Sequence, residues 1–97
     1  DFVKPNKKFR IGNLKEKNAL IDLYSRLEKI PNDYEIQEIQ TMLFTVGKEH
    51  NFKNLKDWFS AFYEIILGTK TGPRLGGFIS IYGIEETRKL ISKRLNL

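Results

Sequence analysis

An apolar run with helical spacing, Leu55 to Leu67, stops at Gly68, and a basic turn follows before a second apolar run, Leu75 to Tyr82, closes at Gly83. Three glycines and a proline fall within residues 72–77, a density beyond that of an ordinary loop. Glycine is used where the backbone takes a positive φ or where another group comes close. Pro73 fixes its own φ and biases Gly72 towards an extended shape. This stretch therefore predicts a helix, a stiff corner and a second helix. The corner presents Lys70 and Arg74, and a cation held this way suits either an RNA phosphate or the end carbonyls of a neighbouring helix.

The rest of the chain repeats the helical pattern. Leu20, Leu23, Tyr24, Leu27 and Ile30 recur at three- and four-residue steps, predicting a helix over about 14–30. Asn13 and Glu16 have the spacing of a capping box at its start, and Pro31 ends it. Ile36, Ile39, Leu43 and Val46 mark a second helix over about 33–49, capped by Asn32 or Asp33. Asn54 caps a third helix over about 55–67, apolar on most sides and hence central. A short fourth helix covers about 75–82. A fifth covers about 84–95, with Glu85 and Glu86 at its start and Arg88, Lys89, Lys93 and Arg94 towards its end, both placements that complement the helix dipole. No stretch alternates with the period of a strand. The expectation is an all-α bundle of about five helices over residues 13–97, preceded by a lead-in or linker, residues 1–12, in which Pro5, Asn6 and Gly12 break helix. Phe2, Val3, Phe9 and Ile11 are the residues able to pin that lead-in to the body.

Composition bounds the chemistry. Ninety-seven residues make one small domain, and 40% hydrophobic content, with seven Phe, four Tyr and one Trp, is enough for a core. There is no cysteine, which excludes disulfides and thiolate zinc sites. No apolar run approaches the roughly 20 residues of a membrane span, and no signal peptide is visible, so the chain reads as cytoplasmic, a monomer, and, since it begins with Asp1, a fragment of something longer. The net charge is +5. It is concentrated at the ends: six cations against two acids in residues 1–17, four cations and no acid in 87–97, and ten acids against seven bases between them. If the ends meet in space they form a basic face suited to RNA phosphates; solvated surface lysines are the plainer explanation.

Candidate functional residues follow from the same survey. Besides Arg74 and Lys70, Lys53 and Lys56 flank the start of the third helix, as phosphate contacts or as solvated charges. Arg88 and Lys89 belong to a cationic cluster denser than a helix dipole requires. Tyr34 lies off the apolar stripe, either as a platform for an unpaired base or as a staple at the helix start. Trp58 reads as core. His50, the one histidine, reads as a helix-end imidazole, and without a cysteine or second histidine it predicts no metal site. The glycine cluster has no following Gly-Lys-Ser/Thr and no preceding strand, so it is neither a phosphate-binding P-loop nor a dinucleotide fingerprint. No catalytic residues are expected in this chain by itself.

The ordered motifs Ile39-Gln40-Thr41, Leu55-Lys56-Asp57-Trp58-Phe59, Phe62-Tyr63-Glu64-Ile65-Ile66-Leu67-Gly68, Gly72-Pro73-Arg74-Leu75-Gly76, Phe78-Ile79 and Tyr82-Gly83-Ile84-Glu85 resemble the carboxy-terminal part of class I lysyl-tRNA synthetases. The resemblance covers about half of the chain, and the first 30 residues add little to it. It implies a parent enzyme that joins lysine to its tRNA using ATP with magnesium, and an all-helical domain like the anticodon-binding cage of the glutamyl and lysyl enzymes. The partners it implies are a lysine-accepting tRNA here and lysine and ATP at a separate catalytic domain. The His-Ile-Gly-His and Lys-Met-Ser-Lys type motifs of that catalytic domain are absent from this sequence. The alternative from a different class is a helical protein-interaction or regulatory module, using the wide apolar circumference of the third helix.

Overall fold

A computed structural model describes residues 9–72 and 74–97. Among them are five α-helices and no strand: α1 (Leu14–Glu28), α2 (Ile36–Glu49), α3 (Leu55–Phe62), α4 (Leu75–Tyr82) and α5 (Ile84–Leu95). The all-α expectation holds. Most of each stripe read from the sequence is buried, although Ile36, the first residue of α2, is 50% exposed and Tyr24 and Ile30 are only partly buried. Leu20, Leu23 and Leu27 of α1, Ile39, Leu43 and Val46 of α2, and Trp58, Phe62 and Ile66 on the third segment are fully enclosed. α1 packs on α5 and α2, α2 on α4 and α3, and α4 on α5. The third segment is central, as its apolar circumference requires, and the Trp58 indole N–H donates to the Leu43 carbonyl at 3.1 Å.

Two local features depart from the expected pattern. α2 starts at Ile36, not at Asp33, with Glu35 as its extended N-cap. Asn32 and Asp33 are taken up by a turn that the Tyr34 N–H closes on the Pro31 carbonyl at 3.2 Å. The third helix is not α-helical to its end: Tyr63–Leu67 form a π-helical turn that stops at Gly68 in the left-handed region, φ 73°. A π turn loosens the carbonyl ladder, and here three of its carbonyls find partners outside the turn. The Thr69 N–H reaches the Tyr63 carbonyl, the Arg10 N–H reaches that of Glu64, and the Arg94 guanidinium reaches that of Ile66 at 3.2 Å. The π turn thereby ties the beginning and the end of the chain to the centre.

The start of α1 is fastened by a charged network. Asn13 Oδ1 accepts from the Glu16 N–H at 2.8 Å, and Glu16 Oε1 accepts from the Asn13 N–H at 3.0 Å, the capping box that the spacing predicts. Arg10 lies outside the helix and donates two bonds to the Glu16 carboxylate, both 2.8 Å, and one to Glu64. Described lead-in residues are thus attached to the body. The Phe9 ring sits under the Arg94 guanidinium at 3.8 Å, while Ile11 is 84% exposed and pins nothing. The expectations for Phe2 and Val3 lie outside the described residues.

Hydrogen bonding from Arg10 holds the Glu16 carboxyl below its ordinary range, against the opposing effect of burial and with help from the Asn13 N–H. A depressed carboxylate stabilises the fold above its unfolded pKa, about 4.3, and that stabilisation is lost as pH falls through the lower folded value. Glu16→Gln is therefore expected to cost about 1–2 kcal/mol at pH 7. The deficit should shrink as pH falls below the ordinary carboxylate range and through the lower folded value, read from urea midpoints at each pH. Trp58→Phe removes the indole hydrogen bond to the Leu43 carbonyl, which keeps its place in the α2 ladder, and about 0.5–1.5 kcal/mol should be lost in the same measurement.

Candidate nucleic-acid interface

The seven residues singled out in the sequence do not form one cluster. Three of them gather around the start of α3. Asn54 caps that helix by accepting from the Asp57 N–H at 2.9 Å, so the loop ahead of it is held at a fixed angle. Lys53, with Lys48, Phe44, Phe52, Asn54 and Leu55, lines one shallow depression of about 390 Å³. Lys56 and Lys70 line a second, of about 430 Å³, whose walls include Leu55, Phe59, Ser60 and Tyr63. Leu55 belongs to both, and the Phe44 and Phe59 rings, one in each, stack with centroids 6.4 Å apart. The result is one flank on which lysines stand beside partly exposed aromatic faces.

The corner after α3 completes this flank. Gly72 lies against the Tyr63 ring, where an added Cβ would come within 2.8 Å of Cε1, so only glycine lets the chain pass this close. Burial pushes the Tyr63 phenol above its ordinary pKa. Thr69 Oγ1 donates to the Thr71 carbonyl at 2.9 Å and closes the turn that carries Lys70. Pro73, to which the stiffness of the corner was partly assigned, lies outside the described residues. Arg74 is exposed, at the N-cap position of α4, and lines a different groove with Gly77, Phe78, Ile81 and Tyr82. No described residue forms a hydrogen bond or ion pair with its guanidinium.

The other three candidates stand elsewhere. Arg88 is committed to the bundle: its side chain is 15% exposed, Nε donates to the Tyr24 carbonyl at 3.1 Å, and the guanidinium lies 4.3 Å from the Tyr24 ring centre. Glu85 and Glu28 flank it at 3.4 and 3.6 Å. Lys89 is exposed and pairs with Glu86 at 3.3 Å. Tyr34 is half-buried against the core with its hydroxyl 3.4 Å from Ser80 Oγ, at the opposite end of α2 from Lys48. Of the described cations of the two chain ends, Arg10, Lys17 and Arg94 meet, lining one groove of about 330 Å³. There Arg10 is ion-paired with Glu16 and Glu64, and Arg94 is bonded to a carbonyl and stacked on Phe9. Lys4, Lys7 and Lys8 lie outside the described residues.

Sequence reasoning missed several partners in this scheme. Lys48, Phe44 and Phe59 join the flank through folding; the sequence reads Phe44 as widening the apolar stripe of α2, whereas the fold leaves it 41% exposed. His50 does end α2, but its Nε2 also meets Asp22 Oδ2 of α1 at 2.9 Å. Burial pushes the Asp22 carboxyl up, yet hydrogen bonds from Arg26 and His50 outweigh it and hold the carboxyl below its ordinary range. Among the described residues no group of three or more His, Asp or Glu side chains is placed to hold a metal ion, and no helix is long and apolar enough to cross a membrane.

Nearly the whole chain is similar to part of lysine–tRNA ligases. It is 41% identical to the Rickettsia bellii (strain OSU 85-389) lysine–tRNA ligase over 95 residues, 98% of this chain. It is 41% identical to the Roseobacter denitrificans enzyme over the same length, and 36% identical to the Rickettsia akari enzyme over all 97 residues. The chain spans 18% of the length of each of these relatives. No protein-family profile matches it, and no solved structure does.

The two α5 cations separate by substitution. Arg88→Met strips a donor from a carbonyl of α1 and should cost about 1–3 kcal/mol in urea unfolding. Lys89→Met, which removes only an exposed i,i+3 pair, should stay within about 0.5 kcal/mol of the parent.

Proposed function

We propose that this chain is the carboxy-terminal helical domain of a class I lysine–tRNA ligase and that it binds the anticodon arm of a lysine-accepting tRNA. The observation that supports this reading best is the flank of Lys48, Lys53, Lys56 and Lys70 set beside Phe44 and Phe59, on a chain whose relatives are lysine–tRNA ligases. An anticodon loop presents unstacked bases and closely spaced phosphates. Lysines supply cationic contacts to the phosphates, and partly exposed aromatic faces accept bases. Arg74, without a side-chain partner among the described residues, extends the cationic edge past Gly72. Arg88 has its donors turned inward, and Tyr34 and Lys89 lie away from the flank, so they take no part in this contact.

In this reading the ligation of lysine to tRNA, with ATP and magnesium, takes place in a part of the enzyme outside these 97 residues. The domain's share is to hold the distal arm of the tRNA so that the acceptor end reaches the catalytic centre. The alternative of a protein-interaction module keeps only part of the surface it named, Leu55, Phe59 and Leu67. The rest of the apolar side of the third segment is used up internally, with Trp58, Ala61, Phe62, Ile65 and Ile66 all buried.

Binding of tRNA to the full-length ligase, measured as a function of salt, tests the reading. Log affinity should fall linearly with log salt, and the slope should shrink by about 0.7–0.9 for each phosphate contact removed. Lys53→Gln, Lys56→Gln and Lys70→Gln should each weaken binding and flatten the slope, whereas Lys89→Gln should do neither. Unchanged affinity and slope in a triple Lys53, Lys56 and Lys70 variant would reject the proposal.

A further inference from the structure

The outward face of α4 is apolar, and no described residue covers it. Gly77, Phe78, Ile81 and Tyr82, with Arg74 at the rim, line a shallow groove of about 390 Å³. Ile81 is 90% exposed and Tyr82 43%, and the Phe78 and Tyr82 rings stack at 5.1 Å, 15° from parallel. Phe78 has its other side against Phe62, so the pair is anchored to the core and presented rigidly. Glycine at position 77 adds a second, independent observation. A Cβ built there meets nothing within 4 Å, so no internal contact demands a glycine. Gly77 is the third residue of α4, in its first turn, where glycine still costs more chain entropy on folding than alanine would. What glycine provides at this point is a notch in the middle of an apolar face, which lets another surface approach the α4 backbone closely.

The chemistry of the face selects its occupant. α4 itself holds no cation and no acid, and Arg74 at the rim is the one charge among the described residues that line the groove, so the face lacks the cationic footing that an RNA backbone needs. Its size argues against a second copy. An eight-residue helix is about 12 Å long, and one face of it is far short of the ~800 Å² per partner of a stable interface. A surface joined through the same polypeptide needs less area, because linkage supplies effective concentration. The relatives have more than four-fifths of their length outside the region that this chain matches. We infer that, in the full-length ligase, the α4 face packs against an apolar surface of the same polypeptide outside these 97 residues, with that surface seated in the Gly77 notch over Phe78, Ile81 and Tyr82. The inference rests on the reading of this chain as one part of a longer ligase. The α4 contact would then fix the orientation of the lysine flank relative to the rest of the enzyme.

The test is a photoreactive benzophenone side chain at position 81 of the full-length ligase, irradiated without tRNA and mapped by mass spectrometry. A position 90% exposed in this domain tolerates the substitution, and circular dichroism checks the fold. The expected product is an internal crosslink to a residue outside the region described above. The same label at Lys93, exposed on α5, is the control and should give no such product. A covalent dimer would show that a second copy occupies the face, and absence of any specific crosslink would show a bare surface; either overturns the inference. A second irradiation with tRNA present in which position 81 crosslinks RNA would also overturn it. Gly77→Leu fills the notch and should abolish or shift the crosslink. Because the primary experiment contains no tRNA, its outcome is independent of whether the lysine flank binds RNA.

Discussion

Burial of Trp58, Phe62 and Ile66, one turn apart along the third segment, is the constraint that organises this molecule. Spacing of four residues puts the three side chains on one face, and Ala61, Ile65 and Tyr63 continue the apolar surface round the axis. A segment this apolar must be covered on most sides, and α1, α2, α5 and the corner before α4 supply the cover. The Trp58 N–H has a carbonyl partner on α2, so the largest core side chain is enclosed without an unsatisfied donor. The corner that follows must then turn sharply at Gly68 and pass closely over Tyr63 at Gly72, which leaves Lys70 on the surface beside Lys56.

The same packing sorts the charges into two populations. Four of the five arginines do the internal work: Arg10 joins Glu16 to Glu64, Arg26 joins Asp22 to Glu49, Arg88 reaches the α1 backbone and Arg94 reaches the π turn, while Arg74 is exposed. The planar, always-charged guanidinium suits bridging of this kind. The lysines at positions 48, 53, 56 and 70 are left on the surface, gathered on the flank where α2 gives way to α3. A net charge of +5 therefore understates the asymmetry, because much of the arginine charge is answered inside the fold.

The helices were legible because each has both a periodic stripe and punctuation. Asn13 with Glu16, Asn54, Gly68 and Gly83 mark their boundaries in the sequence and hold them in the structure. What escaped was nonlocal. The π turn over Tyr63–Leu67 depends on Arg10 and Arg94, residues more than 25 positions away, and no pattern within the turn announces them. The start of α2 moved because a turn closed on Pro31 competed with helix. At the candidate interface, Lys53, Lys56 and Lys70 could be picked out by charge and proximity to a helix start or corner. Their association with Phe44 and Phe59 could not, since it requires α2 and α3 to meet. Charge density on α5 was equally visible, but not that Arg88 would be drawn inward by Tyr24 and two glutamates.

The central claim is that one lysine flank, and not the basic chain ends, meets tRNA. Lysine acetylation footprinting of the full-length ligase with and without tRNA tests it most directly, because every lysine reports in one experiment. The account predicts that tRNA protects Lys48, Lys53, Lys56 and Lys70 and leaves Lys89 and Lys93 as reactive as before. Protection of Lys89 and Lys93 with the flank unchanged would contradict it.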